Sequence, residues 1–138
     1  MSKALTPPGE KLEFIFTKSL KNGWVHNAMV RPHYFCARLP AGEEFVLDMI
    51  LKTGASIPFT ATGFLAPDNR FVRYSDIKRA DWISENHFMT ITPKIKQGLF
   101  DRLLITLMDG TLIQLDDLDQ AVFPLLKFFR WLDWSKQP

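Results

Sequence analysis

The chain contains one cysteine, Cys36. An intramolecular disulfide framework is thereby excluded, and a lone thiol suits a reducing compartment, which points to the cytoplasm. No apolar run approaches the ~18 residues that a spanning helix requires, because charged side chains interrupt every hydrophobic stretch. No membrane insertion is expected. The polar start, Met1 to Lys11 with Pro7, Pro8 and Gly9, lacks the apolar centre of a signal peptide, so secretion is not expected either. Net charge is small: 17 Lys and Arg face 15 Asp and Glu, giving +2 and a pI near 8.8. That balance argues against a nucleic-acid partner. Residues 1–100 carry 13 basic against 9 acidic side chains and residues 101–138 carry 4 against 6, a weak dipole rather than a polyanion site.

Motifs are missing as well. There is no internal repeat, low-complexity tract or Ser/Gly linker, so residues 1–138 read as one domain. A phosphate-binding glycine loop, a Gly-x-Ser-x-Gly elbow and a His-Glu-x-x-His pair are all lacking. The expectation is a non-enzymatic protein with no catalytic residue, no metal and no cofactor.

What is present is a composition that is 46% hydrophobic over 138 residues, enough for a real core without disulfide or metal support. The clearest local signal is a hairpin. Leu103 to Met108 and Thr111 to Leu115 are β-type runs flanking Asp109-Gly110, a pair that accepts the positive φ values of a two-residue turn. Such a loop sets Met108 opposite Thr111, Thr106 opposite Ile113, Leu104 opposite Leu115 and Leu107 opposite Leu112. Both faces are then largely apolar, and both are expected to be covered. The cover follows at once, where Leu118, Val122, Leu125, Leu126, Phe129 and Leu132 recur at helical spacing. Pro124 lacks a donor and clashes with a preceding turn, which places the start of the regular helix between Gln120 and Phe123. Asp116, Asp117 and Asp119 stand just before it, suited to capping free N–H groups rather than to calcium, since the loop glycine and terminal glutamate of a hand-type site are absent.

Upstream, Phe59 to Leu65, Arg70 to Tyr74 and Lys78 to Ile83 read as strands separated by turns at Ala66-Pro67-Asp68-Asn69 and Ser75-Asp76. His87 to Thr92 reads as a short strand before a Pro93 to Asp101 connection. Glu43 to Lys52 fits either helix or strand, and strand is preferred. Leu12 to Thr17 looks strand-like, and residues 1–40 are otherwise not ordered by pattern alone.

Candidate chemistry is sparse. His33 and Cys36 lie three apart with His26 near, but zinc needs three or four ligands and no second cysteine is at hand. An enzyme using His33, Cys36 and His87, with Glu85 beside the last, is the catalytic alternative. Aromatic residues are in surplus, with 12 Phe, 4 Trp and 2 Tyr. Phe128, Trp131 and Trp134 project beside the main apolar stripe of the last helix, so either the N-terminal segment buries them or they form a partner surface. A second candidate surface is the run Arg70, Arg73, Tyr74, Lys78, Arg79 and Trp82, where interleaved Asp68, Asp76 and Asp81 also allow local ion pairs. The candidate partner-binding residues are therefore Phe128, Trp131, Trp134, Arg73, Tyr74, Arg79 and Trp82, for a protein partner or a second copy.

Gly42-Glu43-Glu44, Arg70 to Ile77 and Lys96 to Arg102, followed by the hairpin and helix, together resemble a bacterial pleckstrin-homology-like (PH-like) domain over residues 41–134. The resemblance implies an α+β fold in which a strongly bent antiparallel sheet or small barrel is closed by the C-terminal amphipathic helix. It also implies a binding module: adaptor, inhibitor or immunity-type protein. Lipid-binding members of that family hold phosphates with several basic residues near the first strand pair, whereas Lys52 to Ile57 offers one, which argues against phosphoinositide. Tyr74 to Ile77, a strand, an Asp-Gly hairpin and a helix also resemble LytTR-type DNA-binding domains, the nucleic-acid alternative. The acidic hairpin tip opposes it.

Overall fold

A computed structural model describes residues 6–82 and 102–136. The fold is α+β, with a helix at each end of two antiparallel sheets.

The first helix, α1 (Pro8–Lys21), starts with proline at its first position, where the missing N–H costs nothing. Glu10 in the first turn and Lys18 and Lys21 in the last complement its dipole. Leu12, Ile15, Phe16 and Ser19 form its buried stripe at helical spacing, while Phe14 is exposed. The strand expected at Leu12 to Thr17 is thus a helix. The short alternation Leu-Glu-Phe imitates period two, and only the longer 12, 15, 16, 19 pattern shows the true period.

Strands β1 (Ala28–Val30), β2 (Phe45–Ile50), β3 (Ser56–Thr60), β4 (Gly63–Leu65) and β5 (Phe71–Arg73) form the first sheet, paired antiparallel in chain order. The strand preferred within Glu43 to Lys52 is β2. Phe59 to Leu65, read as one strand, is instead broken by a tight turn. The Thr60 hydroxyl accepts the N–H groups of Thr62 and Gly63 at 3.2 and 3.1 Å, stopping β3. Gly63 then opens β4 where a side chain has no room, since an added Cβ would lie 2.2 Å from the Val72 carbonyl oxygen.

A short 3₁₀ turn (Tyr74–Asp76) leads into the second sheet, β6 (Ile77–Trp82), β7 (Leu103–Leu107) and β8 (Leu112–Leu115), in that order. The hairpin of β7 and β8 is present, but its loop has three residues, Met108-Asp109-Gly110, rather than two. Leu107 N–H reaches the Thr111 carbonyl at 2.8 Å, and Gly110 N–H reaches the Leu107 carbonyl at 3.0 Å. Gly110 takes the positive φ of +90° that this bulged turn requires. The register moves by one residue, pairing Leu103 with Leu115, Ile105 with Ile113 and Thr106 with Leu112. The slip sorts the faces: Leu103, Ile105, Leu107, Ile113 and Leu115 are buried together, whereas Leu112 is 60% exposed and Gln114 faces solvent. The expectation of a hairpin covered on both faces is therefore corrected to one covered face.

After a 3₁₀ turn (Asp119–Ala121), the second helix, α2 (Val122–Ser135), begins where Pro124 placed it, with the proline still in the first turn. No side-chain hydrogen bond caps it, so the capping role expected of Asp116, Asp117 and Asp119 is not realised. Asp117 and Asp119 instead take positive φ values of 58° and 53° in the turn. Helix α2 packs on β6 and on α1. Phe123 meets Trp82 near one end of β6, and at the other Lys136 Nζ donates to the carbonyls of Tyr74, at 2.7 Å, and Ile77. Asn27 Nδ2 ties the first sheet to the connection before α2 by donating to the Ile50 and Leu118 carbonyls at 2.9 and 2.8 Å.

The buried residues form one contiguous core drawn from both helices and both sheets. Among the described residues the sheets stay separate and no barrel closes. The expected strand at His87 to Thr92 and the Pro93 to Asp101 connection lie outside the described residues. Because Gly63 touches backbone that cannot rotate away, Gly63→Ala is expected to lower unfolding free energy by about 1–3 kcal/mol, as overpacking does, measured by urea denaturation against wild type.

Candidate functional site

The seven expected partner-binding residues do not share one surface. Phe128 is fully buried, and Tyr74 is buried with its hydroxyl donating to the Thr60 carbonyl at 2.7 Å and its ring edge-on to Phe128 at 5.2 Å. These two belong to the core and cannot line a contact surface. Trp131 is half-buried, stacked 6.2 Å from Phe128, with the Lys11 ammonium 5.7 Å from its ring. Of the two fates open to the helix aromatics, Phe128 is buried, against Tyr74 among others, and Trp131 is partly covered, with Lys11 of α1 over its ring. Trp134 is 49% exposed. Arg73 is exposed, its guanidinium 5.7 Å from the Phe71 ring. Arg79 pairs with Asp81 at 3.2 Å, both well exposed, so the pair adds little stability.

Trp82, the remaining one, leads to a different place. Its ring stands edge-on to Phe123 at 5.6 Å, and Phe123 borders a cleft of about 340 Å³ between the end of α1 and the start of α2. Trp24, Val25, Ser19, Gln120, Pro124 and Lys127 complete the lining. Local chemistry explains each placement. Helix α1 ends at Asn22, and Gly23 turns left-handed at φ +74°. The Trp24 N–H then returns to the Ser19 carbonyl at 2.9 Å and the Gly23 N–H to the Leu20 carbonyl at 3.1 Å. This is the paired bonding of a Schellman cap, which folds the next residue back along the helix. Trp24 is held there 62% exposed, over a Val25 that is buried. On α2, Val122, Leu125, Leu126 and Phe129 take the buried side, which leaves Phe123 outside and 58% exposed.

Sequence reasoning passed over Trp24 and Phe123. The signal for Trp24 was Asn22-Gly23 after an amphipathic stretch, and it was hidden when α1 was read as a strand.

Polar groups gather elsewhere, under the segment 31–44 that crosses the outer side of the first sheet. Arg31, at a positive φ of 50°, donates from Nε to Glu13 at 2.8 Å and from a terminal nitrogen to Glu44. Glu43 accepts from Thr60 and Thr62 hydroxyls at 2.7 and 2.6 Å, which holds its carboxyl below the usual range, Thr62 contributing most. Arg38 reaches Ser56 at 3.2 Å. Asp48 lies on the face of β2 opposite Leu47 and Met49, 5% exposed, and accepts a hydrogen bond from the Tyr34 hydroxyl. The Tyr34 ring is half exposed, yet its hydroxyl is tucked toward that carboxylate. Burial first, then the bond to Asp48, pushes its pKa up to about 12.

His26 and His33 are exposed and Cys36 is half-buried beside Tyr34. Among the described residues no trio of His, Cys, Asp or Glu is arranged to hold a metal. His87 and Glu85 lie outside the described residues. No described helix is long and apolar enough to cross a membrane. Compared with known proteins, the chain matches no family model, no curated protein and no solved structure.

Tyr34 and Tyr74 are both held above an ordinary phenol, Tyr74 by complete burial. A raised folded pKa means that stability is present below about pH 10 and is lost as pH climbs toward 12. Ultraviolet titration of the native chain should show almost no phenolate at pH 10, where the urea-unfolded chain is half ionised. Tyr34→Phe should remove the earlier of the two native transitions.

Proposed function

We propose that this chain is a non-enzymatic, cytoplasmic protein-binding module of PH-like type, and that a partner polypeptide inserts a bulky apolar side chain into the cleft between Trp24 and Phe123. The observation that carries the reading is the convergence of these two exposed aromatics, from segments far apart in sequence, over an apolar floor of Val25 and Pro124. Large aromatic side chains left in water beside a pocket are characteristic of binding hot spots. Two antiparallel sheets followed by a C-terminal helix support the PH-like assignment. Lys127 on the rim, with exposed Lys18 and Lys21 on the last turn of α1, favours carboxylates next to the partner's apolar anchor. A phosphoinositide gains no support, because the turn between β2 and β3 carries Lys52 as its single basic residue.

The test is selection of a displayed random peptide library on the whole chain, with Trp24→Ala and Phe123→Ala as counter-targets. Both side chains are exposed, so neither variant should lose its fold. Selected peptides are expected to carry Leu, Phe or Trp beside Asp or Glu, and each variant should weaken them at least about tenfold, or about 1.4 kcal/mol. Peptides that bind the variants as well as wild type would overturn the reading. So would a concentration-dependent dimer that Trp24→Ala dissolves, since the occupant would then be a second copy.

A further inference from the structure

Among the described residues the two sheets have four outer strand edges, and these are not protected alike. β1 has three residues and runs into Arg31, at positive φ, and Pro32. β5 also has three residues and ends at Arg73, where the 3₁₀ turn begins. β6 carries a bulge between Ile77 and Arg79 and the charges of Lys78, Arg79 and Asp81. Short length, proline, bulges and charge are the usual means of keeping an edge from pairing. β8, with the sequence Leu-Ile-Gln-Leu, has no charge, proline or bulge within it.

The direction of its backbone groups follows from the register. Leu107 and Thr111 form a hydrogen-bonded pair, so Ile105 with Ile113 and Leu103 with Leu115 are the next such pairs. The N–H and C=O groups of Leu112 and Gln114 therefore point away from β7, to the side where no described strand lies. Above this edge the Leu112 side chain is 60% exposed, with half-buried Leu104 and Thr106 on the neighbouring strand. Both ends of β8 carry carboxylates: Asp109 stands exposed before it, with Arg70 nearby, and Asp116, which accepts from Gln114 Nε2 at 2.7 Å, and Asp119 stand exposed after it.

We propose that β8 is a docking edge for an extended segment of another protein flanked by lysine or arginine, which joins the second sheet as a fourth strand. Main-chain bonds to Leu112 and Gln114 supply affinity, and the carboxylates at the two ends select the charge of the flanks. The same charges disfavour a second copy. An antiparallel β8–β8 pair that joins Leu112 to Gln114 brings Asp109 of each chain close to Asp116 and Asp117 of the other, and a parallel pair sets like beside like. This edge is independent of the cleft reading, and its test keeps the two apart.

Hydrogen–deuterium exchange of the whole chain would be followed with two synthetic peptides, each five alternating threonines and valines, one with lysine pairs at its ends and one with glutamate pairs. The lysine-flanked peptide is expected to slow exchange at Leu112 and Gln114 about tenfold or more at millimolar concentration, and the glutamate-flanked peptide to leave it unchanged. Gln114→Pro removes an outward N–H without touching the bonds to β7, and should abolish protection at Leu112. Asp116→Lys, at an exposed position, should weaken the lysine-flanked peptide about tenfold and is the second variant should the proline unfold the hairpin. Trp24→Ala should change none of this. No slowing with the lysine-flanked peptide, equal binding of both peptides, insensitivity to both β8 variants, or protection that arises from self-association would each overturn the proposal.

Discussion

A line of contacting aromatic rings holds the two sheets and the last helix in one body. Phe59 and Phe64 stack at 5.1 Å across β3 and β4, Phe64 meets Phe129 at 6.1 Å, Phe129 meets Phe128 at 5.6 Å, and Phe128 meets Tyr74 at 5.2 Å. The line starts in the first sheet, crosses α2 and ends at the junction into the second sheet. Each ring is effectively buried, and aromatic pairs of this kind add about 0.5–1.5 kcal/mol each beyond the area they bury. Since β5 and β6 are joined only by a 3₁₀ turn, it is this line, more than the connection, that fixes how the sheets face each other. Asn27 and Lys136 add side-chain bonds at the ends, Asn27 donating to the Ile50 and Leu118 carbonyls and Lys136 to that of Tyr74.

The demand of that line on α2 decides what is left outside. Phe128 and Phe129 are adjacent, yet both are buried, so the helix must be covered over more than a single stripe. Helix α1 provides the second cover. Once α1 lies against α2, its C-terminal cap necessarily sits near the first turn of α2, and the residue folded back by that cap is Trp24. The exposed aromatic cleft is thus a geometric consequence of how the core is closed. Its occupancy by a partner is a separate matter, resting on the cost of leaving such rings in water.

Much of the α+β pattern was legible in the sequence because it is local. Pro124 marked the start of α2, and Asp109-Gly110 marked the hairpin. The loop length was not legible, since an Asp-Gly pair serves a two-residue turn and equally the end of a three-residue bulged turn. One added residue changed which side chains face the core. Helix α1 was misread because its first apolar residues alternate, and correct assignment needed Ser19 to count as a buried position, which its hydroxyl achieves by donating to the Ile15 carbonyl at 2.9 Å. Of the seven residues singled out for binding, Phe128 and Tyr74 lie in the core, because the helix with the most aromatics is also heavily occupied with the core, whereas the two exposed rings that border the cleft, Trp24 and Phe123, come from a helix cap and a first turn.

The two sheets treat their outer faces in opposite ways. Across the first, segment 31–44 is fastened by Arg31, Arg38, Glu43 and Tyr34, each using a polar group the sheet presents or a carboxylate on a neighbouring element. Asp48 is the costliest of these, since its Oδ1 is buried without a hydrogen-bond partner among the described residues, and such a group is stabilising only while Tyr34 stays bonded to its other oxygen. A covering segment held by that arrangement is specific in register, because sliding it would strand the carboxylate entirely. On the outer face of the second sheet Arg79 and Asp81 pair with each other beside Thr106 and Leu104, Leu112 and Gln114 are exposed, and no described segment is fastened across them. A segment aligned along the β8 edge would meet the main-chain donors and acceptors of Leu112 and Gln114 at strand spacing. The first sheet is thus covered by a strap of the chain's own, held through side chains, whereas the β8 edge of the second presents backbone groups that no described strand pairs with.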